Sequence, residues 1–204
     1  MYSVAFFIAS LRGGGAEQTC ISLANALHQQ NWKVAVWKLN QNSNELDDQL
    51  NDEIALYQLP AKSVKYAILN IRSHLRRHPP KIIVIFGFDL IFPTILALTL
   101  LKNKPKVVFR NSNTLSVEMA NKKSKWYERM ALTLAPLFLK RIDLIIHQSK
   151  QMAEDFIQLF PNCLSPFKVI HNPIKTTLEV LDEPKEKIFL MVGRLEKQKA
   201  HHLG

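Results

Sequence analysis

Short apolar runs, rich in β-branched and aromatic residues, alternate along this chain with longer segments of helical periodicity. This alternation predicts a parallel β-sheet built from strand-helix-strand units. The runs are almost continuously apolar, which is typical of strands covered on both faces, so helices should lie on both sides of the sheet. The predicted strands are Tyr2 to Ala9, Lys33 to Leu39, Ile54 to Tyr57, Ile82 to Phe86, Lys106 to Phe109, Ile142 to His147 and Phe167 to His171.

The segments between these runs complete an α/β fold, a Rossmann-like doubly wound sheet. Apolar residues recur in them at helical spacing, and Ser149 has the position and chemistry of a helix N-cap. Pro136 should interrupt or kink the fourth helix. The predicted helices are Ala16 to Gln30, Lys62 to His78, Leu90 to Leu101, Lys125 to Lys140 and the one that follows Ser149 to Gln158.

The segment between Lys81 and Lys102 is long and apolar enough to be considered as a membrane span, since Asp89 is its only charge. Gly87, Asp89 and Pro93 interrupt it near the middle. A strand-turn-helix explains all three interruptions, whereas a spanning helix would bury a carboxylate at a cost of about 2.5 kcal/mol or more. We therefore predict a strand, a turn and a buried helix.

Composition restricts the class of protein further. Hydrophobic residues make up 47% and charged residues 22% of the 204 residues, which is typical of a folded globular protein. The net charge of +10 indicates a surface that attracts polyanions but does not choose among phosphorylated ligands, lipid headgroups and nucleic acid. Cys20 and Cys163 are the only cysteines, so neither a disulfide framework nor a metal site is indicated, and a reducing cytoplasm fits best.

A glycine-rich turn, Gly13 to Gly15, joins the first strand to the first helix, where doubly wound folds bind anions. A tight turn alone would explain some of these glycines, but three in a row exceed what a turn requires. A dinucleotide fingerprint fails because Gln18 stands where its third glycine is needed. A Walker motif fails because no Gly-Lys-Ser/Thr follows. We therefore expect the turn to face a ligand.

A second string, Val192-Gly193-Arg194-Leu195-Glu196-Lys197-Gln198-Lys199, is the most specific in the chain. Together with the glycine-rich turn and Val169-Ile170-His171-Asn172-Pro173, it resembles the retaining GT-B glycosyltransferases of the large family that includes sucrose, capsule and lipopolysaccharide glycosyltransferases. The resemblance covers nearly the whole chain. Ala200 departs from it, because the family usually has glycine there.

The resemblance implies that residues 1–172 form the acceptor-side N-terminal GT-B domain, 173–186 an interdomain linker, and 187–204 the truncated first strand and loop of a donor-binding domain. The family's paired glutamates, which hold the nucleotide ribose and sugar, are absent. The implied parent enzyme transfers a glycosyl group from a nucleotide-sugar, such as a UDP- or GDP-sugar, to a polysaccharide or glycolipid. The truncated chain is expected to be inactive alone, because one wall of the active site is missing.

Site residues follow from the same resemblance. Gly13, Gly14, Gly15, Arg194 and Lys199 correspond to donor phosphate ligands, whose positive charge would stabilise the departing diphosphate. The loops after the fourth and fifth strands face the interdomain cleft in the family, which makes Asp89, Arg110, Asn111 and Ser112 candidate acceptor ligands. For Asp89 a helix N-cap is the stronger interpretation. Arg110, delivered by an apolar strand into a polar loop, suits an anionic acceptor.

The resemblance implies no metal and no cofactor beyond the nucleotide-sugar, and a cytoplasmic location with an option of peripheral attachment to the inner face of the membrane. Basic residues around Lys62 to Lys81 and Asn121 to Arg129 supply a surface for anionic headgroups. The alternative function is a noncatalytic module that binds anionic membrane or RNA through this face. No recognition helix, aromatic RNA-binding string or zinc finger supports nucleic acid.

Overall fold

The protein is described here from a computed structural model, in which residues 1–39, 45–59, 67–99, 101–121 and 126–173 are placed. These residues belong to one compact unit that runs from Met1 to Pro173. Its seven strands are β1 (Tyr2–Ile8), β2 (Val34–Lys38), β3 (Ala55–Gln58), β4 (Pro80–Phe86), β5 (Lys106–Asn111), β6 (Leu144–His147) and β7 (Phe167–Val169). Its helices are α1 (Gly15–Gln29), α2 (Ala67–Arg77), α3 (Ile91–Thr99), α4 (Leu115–Asn121), α5 (Trp126–Leu139) and α6 (Lys150–Leu159).

All seven strands pair in parallel in the order β3-β2-β1-β4-β5-β6-β7. The chain moves outward from β1 to β3, crosses back, and then moves outward from β4 to β7. Because crossover connections are right-handed, this reversal places α1 on one face of the sheet and the later crossover helices on the other. The predicted doubly wound fold is confirmed.

Each face of the sheet has its own hydrophobic core. Phe7, Trp37 and Ile85 point to the face covered by α2, α3, α5 and α6, in a core that also holds Ile71 and Phe156. The neighbouring residues on the same strands point to α1, whose contribution is Cys20, Ile21 and Ala24. Strand residues alternate between faces, so a strand buried on both faces must be apolar throughout, as β1 is from Val4 to Ile8.

The apolar segment from Lys81 to Lys102 is a strand, a turn and a helix, as predicted. β4 ends at Phe86, a 3-10 turn covers Phe88–Leu90, and α3 follows directly. Gly87 has a φ of 113°, a left-handed conformation that favours glycine at this turn. Among the placed residues, no helix combines the length and apolar character needed to cross a bilayer.

Three features differ from the sequence-based expectation. β5 continues through Arg110 and Asn111, which were expected in a loop, because both residues pair with neighbouring strands. Helix α4 was not predicted. Asp89 lies inside the 3-10 turn, two residues after the cap position, which Gly87 occupies. Ser149 does cap α6 as predicted, because its hydroxyl accepts a hydrogen bond of 3.2 Å from the backbone N–H of Met152.

Candidate functional site

The sheet reverses its direction of growth between β1 and β4, and this reversal opens a crevice at the carboxyl ends of the two strands. Ligands of open α/β sheets bind in this crevice. Two predicted site elements meet there: the glycine-rich turn after β1, and Gly87 with Asp89 after β4. Arg110 and Asn111 end β5, the next strand along, so they reach the same edge of the sheet about 10 Å from β1.

The three glycines of the turn have different roles. Gly13 has a φ of 90°, which explains this glycine by backbone conformation alone. Gly14 is the N-cap of α1 with extended backbone angles, and Gly15 is the first helical residue. A Cβ on Gly15 would meet no atom within 4 Å, so the space beside this residue is open. The open space and the N–H groups of the first helical turn are what a bound anion requires.

Two carboxylates border this turn. A Cβ on Gly14 would collide with Oε2 of Glu17, and a Cβ on Gly13 would lie 3.4 Å from Oε2 of Glu45. Glu17 stands three residues after the cap, where a carboxylate interacts favourably with the positive end of the helix dipole. An incoming phosphate would therefore meet the negative charge of Glu17.

The segment that follows Glu45 is anchored next to the turn. The backbone N–H of Leu46 donates a 3.3 Å hydrogen bond to the carbonyl of Leu11. Asp47 accepts a hydrogen bond of 2.5 Å from the ammonium group of Lys38, which ends β2 and is fully buried. This ion pair joins the carboxyl end of β2 to the segment beside the glycine-rich turn.

On the other side of the crevice, Asp89 lies against Gly87. A Cβ on Gly87 would lie 2.9 Å from Oδ1 of Asp89, so the absence of a side chain at Gly87 makes room for this carboxylate. The 3-10 turn thus holds Asp89 at the carboxyl end of β4. Its oxygens are suited to accept hydrogen bonds from hydroxyl groups.

Arg110 is 3% exposed. Its Nη2 donates a 2.6 Å hydrogen bond to Oδ1 of Asn172, and Nδ2 of Asn172 donates one of 3.1 Å to Oε1 of Gln148. Its Nε is buried and has no hydrogen-bond partner. Burial lowers the pKa of the guanidinium from its ordinary value, because desolvation disfavours the charged form.

Asn111 and Ser112 occupy different environments. Asn111 is buried, and its Nδ2 lies 3.3 Å from Nδ1 of His147, which is also buried. Desolvation lowers the pKa of His147, and its ring packs between Phe156 and Phe167, with centroid distances of 5.2 and 5.7 Å. The hydroxyl of Ser112 lies 3.4 Å from the carbonyl of Arg110, to which it donates. Asn111 therefore belongs to a buried polar pair rather than to an open loop.

Some predicted residues lie outside the placed part of the chain: Arg194 and Lys199, and the basic residues Lys62, Lys65, Lys122, Lys123 and Lys125. Sequence reasoning missed Glu45, the Lys38–Asp47 pair, and Asn172 as the hydrogen-bond partner of Arg110. A usable signal existed for Asn172, because it follows a predicted strand at the carboxyl edge of the sheet. No sequence signal indicated which residue Lys38 would contact.

Solved structures with the same fold include glycosyltransferases. The Anabaena protein Alr3699/HepE, solved with UDP and glucose, superposes with a TM-score of 0.64 at 17% identity, over 85% of this chain and 45% of its own. Sucrose-phosphate synthase from Thermosynechococcus elongatus superposes with a TM-score of 0.63 at 12% identity, over 84% of this chain and 48% of its own. The lipopolysaccharide outer core galactosyltransferase WaaB superposes with a TM-score of 0.60 at 13% identity, over 84% of this chain and 46% of its own. The chain thus spans less than half the length of each.

No curated protein matches the chain in sequence. The sequence profile of one family does match, over residues 13–178, which include the glycine-rich turn, Asp89, Arg110 and the strands from β2 to β7. This match extends over well above half of the chain. The chain therefore belongs to Glycosyltransferase Family 4.

Proposed function

We propose that this chain forms the acceptor-side part of an enzyme that transfers a glycosyl group from a nucleotide-sugar to a polysaccharide or glycolipid hydroxyl, with retention of configuration. The observation that carries the proposal is the crevice between β1 and β4, where an open helix N-terminus follows one strand and the turn with Asp89 follows its neighbour, in a chain of Glycosyltransferase Family 4. Such a crevice is where nucleotide ligands of doubly wound sheets bind.

The donor diphosphate would bind at Gly13, Gly14 and Gly15 and be neutralised by Arg194 and Lys199. Backbone N–H groups at the start of α1 can donate to phosphate oxygens, and the open space beside Gly15 gives a phosphate access to them. Charge builds on the leaving diphosphate during transfer, so cations held near it stabilise the transition state without a metal or another cofactor. The fold match with a protein solved with UDP and glucose is consistent with this assignment.

The acceptor would bind at Asp89, Arg110, Asn111 and Ser112. Asp89 lies in the turn after β4 and Arg110 lies near the end of the neighbouring strand β5, so we expect both to reach one sugar. Asp89 would accept hydrogen bonds from hydroxyl groups, and Arg110 would donate them. Asn111 would act through His147, because its amide lies against that ring.

We place the enzyme in the cytoplasm, in peripheral contact with anionic lipid on the inner face of the membrane. The net charge of +10 supports this placement, as do Arg72, Arg76 and Arg77 on α2. A noncatalytic module would use the same surface, so affinity for anionic vesicles does not separate the two functions. Nucleotide-sugar turnover separates them.

The replacement Gly15→Val tests the donor site. Its side chain would enter open space, so we expect the melting temperature to stay within about 2 °C of wild type. If the donor phosphates bind at this turn, the side chain blocks them, and the affinity for UDP or GDP should fall at least about tenfold, equivalent to about 1.4 kcal/mol. Saturation-transfer NMR of the chain with each nucleotide measures this change.

The replacement Glu17→Gln should change nucleotide affinity in the opposite direction to Gly15→Val. It removes the negative charge beside the turn while conserving the shape of the side chain, so nucleotide affinity should rise several-fold. Steady-state release of UDP or GDP from a panel of nucleotide-sugars by the full-length protein is the second measurement. Wild-type nucleotide affinity in both variants would place the donor elsewhere. If the protein turned over none of the nucleotide-sugars, the noncatalytic module would be favoured.

A further inference from the structure

Arg110 is a buried cation that forms no ion pair with a carboxylate of the placed residues. The ion pairs found among these residues include His28 with Glu53, Lys38 with Asp47, and Lys106 with Asp143. The hydrogen-bonded partner of Arg110 is the neutral amide of Asn172. An uncompensated buried charge is strongly unfavourable, so folding alone gives no reason to keep a guanidinium here.

The neighbours of Arg110 do not supply the missing negative charge. In the sheet, Arg110 lies opposite Phe86 on β4 and Ile146 on β6, and both of these residues are apolar. Asn172 donates a hydrogen bond to Gln148, and neither amide side chain carries a charge. The Nε of Arg110 stays unpaired, and a guanidinium presents its donors as a fork that fits two oxygens of one anion.

A structural role is the competing explanation, in which Arg110 ties the segment after β7 to β5 across 62 residues of sequence. One hydrogen bond to a neutral amide oxygen does not require a full positive charge, and it leaves Nε unserved. The tie therefore leaves the buried Nε and the positive charge without a partner among the placed residues. Both point to a ligand.

We propose that Arg110 binds an anionic group, a phosphate or a carboxylate, carried by the acceptor, an inference that rests on the proposed function. The site lies at the end of β5, two strands from the glycine-rich turn, so it is separate from the donor site by about 10 Å. Asn172 and Gln148 orient the guanidinium. The acceptor class is thus an acidic or phosphorylated glycan, and neutral sugars lack the recognised group.

Thermal unfolding of the chain tests the site with three probes at constant ionic strength: sodium phosphate, sodium glucuronate and glucose. We expect the wild-type melting temperature to rise saturably with one of the two anions and not with glucose. Phosphate alone would identify a phosphorylated acceptor, and glucuronate alone would identify an acidic sugar. In Arg110→Gln the half-saturating concentration should be at least about tenfold higher, as expected for loss of a charged hydrogen bond.

Arg141→Gln is the matched control, because Arg141 is exposed between α5 and β6 and its replacement changes the net charge equally. It should respond to anions like wild type. Without anions, Arg110→Gln should melt at or above the wild-type temperature, since it removes an unpaired buried charge. Arg110→Lys keeps the charge and loses the fork, so it should bind the anion more weakly than wild type.

Equal stabilisation of all variants by anions would show nonspecific binding and overturn the proposal. So would a ligand-free Arg110→Gln protein that melts several degrees lower or fails to fold, because Arg110 would then be a structural tie. The nucleotide experiments are independent of these. If nucleotide-sugars fail and anion binding depends on Arg110, the proposed function is wrong and the anion site stands.

Discussion

Replacing Asp47 with alanine should lower the free energy of unfolding by about 1–3 kcal/mol, because it removes one carboxylate partner of the fully buried ammonium group of Lys38. The exposed neighbour Asp48 gives the matched control, and Asp48→Ala should change stability by less than about 0.5 kcal/mol. Urea titrations of the two variants and the wild type give the comparison.

The double replacement Lys38→Met with Asp47→Ala should recover part of the loss, since an apolar side chain of similar length carries no charge to desolvate. A stability change below about 1 kcal/mol for Asp47→Ala would show that the pair contributes little.

Acidification from pH 7 to pH 4 should reduce stability by about 3 kcal/mol through His74 alone. Burial, followed by the charges of His78 and Arg77, lowers the pKa of His74 from 6.5 to about 4. The unfolded chain therefore takes up a proton below about pH 6.5, whereas the folded protein does so only near pH 4. The stability contributed by neutral His74 is complete above pH 6.5 and is lost as the pH falls through this window.

The variant His74→Phe isolates this contribution. Its ring can keep the edge contacts that His74 makes with Trp37 and Tyr57, at centroid distances of 4.6 and 4.5 Å, but it does not titrate. Urea unfolding at pH 7, 5.5 and 4 should show a shallower decline for His74→Phe than for wild type. The variant His171→Gln, which replaces an exposed histidine, should lose stability with falling pH to the same extent as wild type. Parallel declines in all three proteins would assign the acid sensitivity to other groups.

Much of the fold could be predicted because it depends on local pattern. The runs that became β1, β2 and β4 are apolar on both faces, which only a strand covered on both sides tolerates. Gly87, Asp89 and Pro93 were correctly interpreted as interruptions of an apolar segment. Gly13 to Gly15 were predicted to join the first strand to the first helix, and they lie there because glycine, strand and helix signals are all short-range.

Element boundaries and partners depended on contacts distant in sequence. Arg110 belongs to β5 and not to a loop because β4 and β6 flank it, and its hydrogen bond reaches Asn172, which only the order of the strands brings close. Lys38 could be located in the sequence, but not its burial or its pairing with Asp47. Local sequence determined the strands, the turns and the glycine-rich helix start. The tertiary structure alone decided which charges are compensated, because compensation depends on neighbours in space.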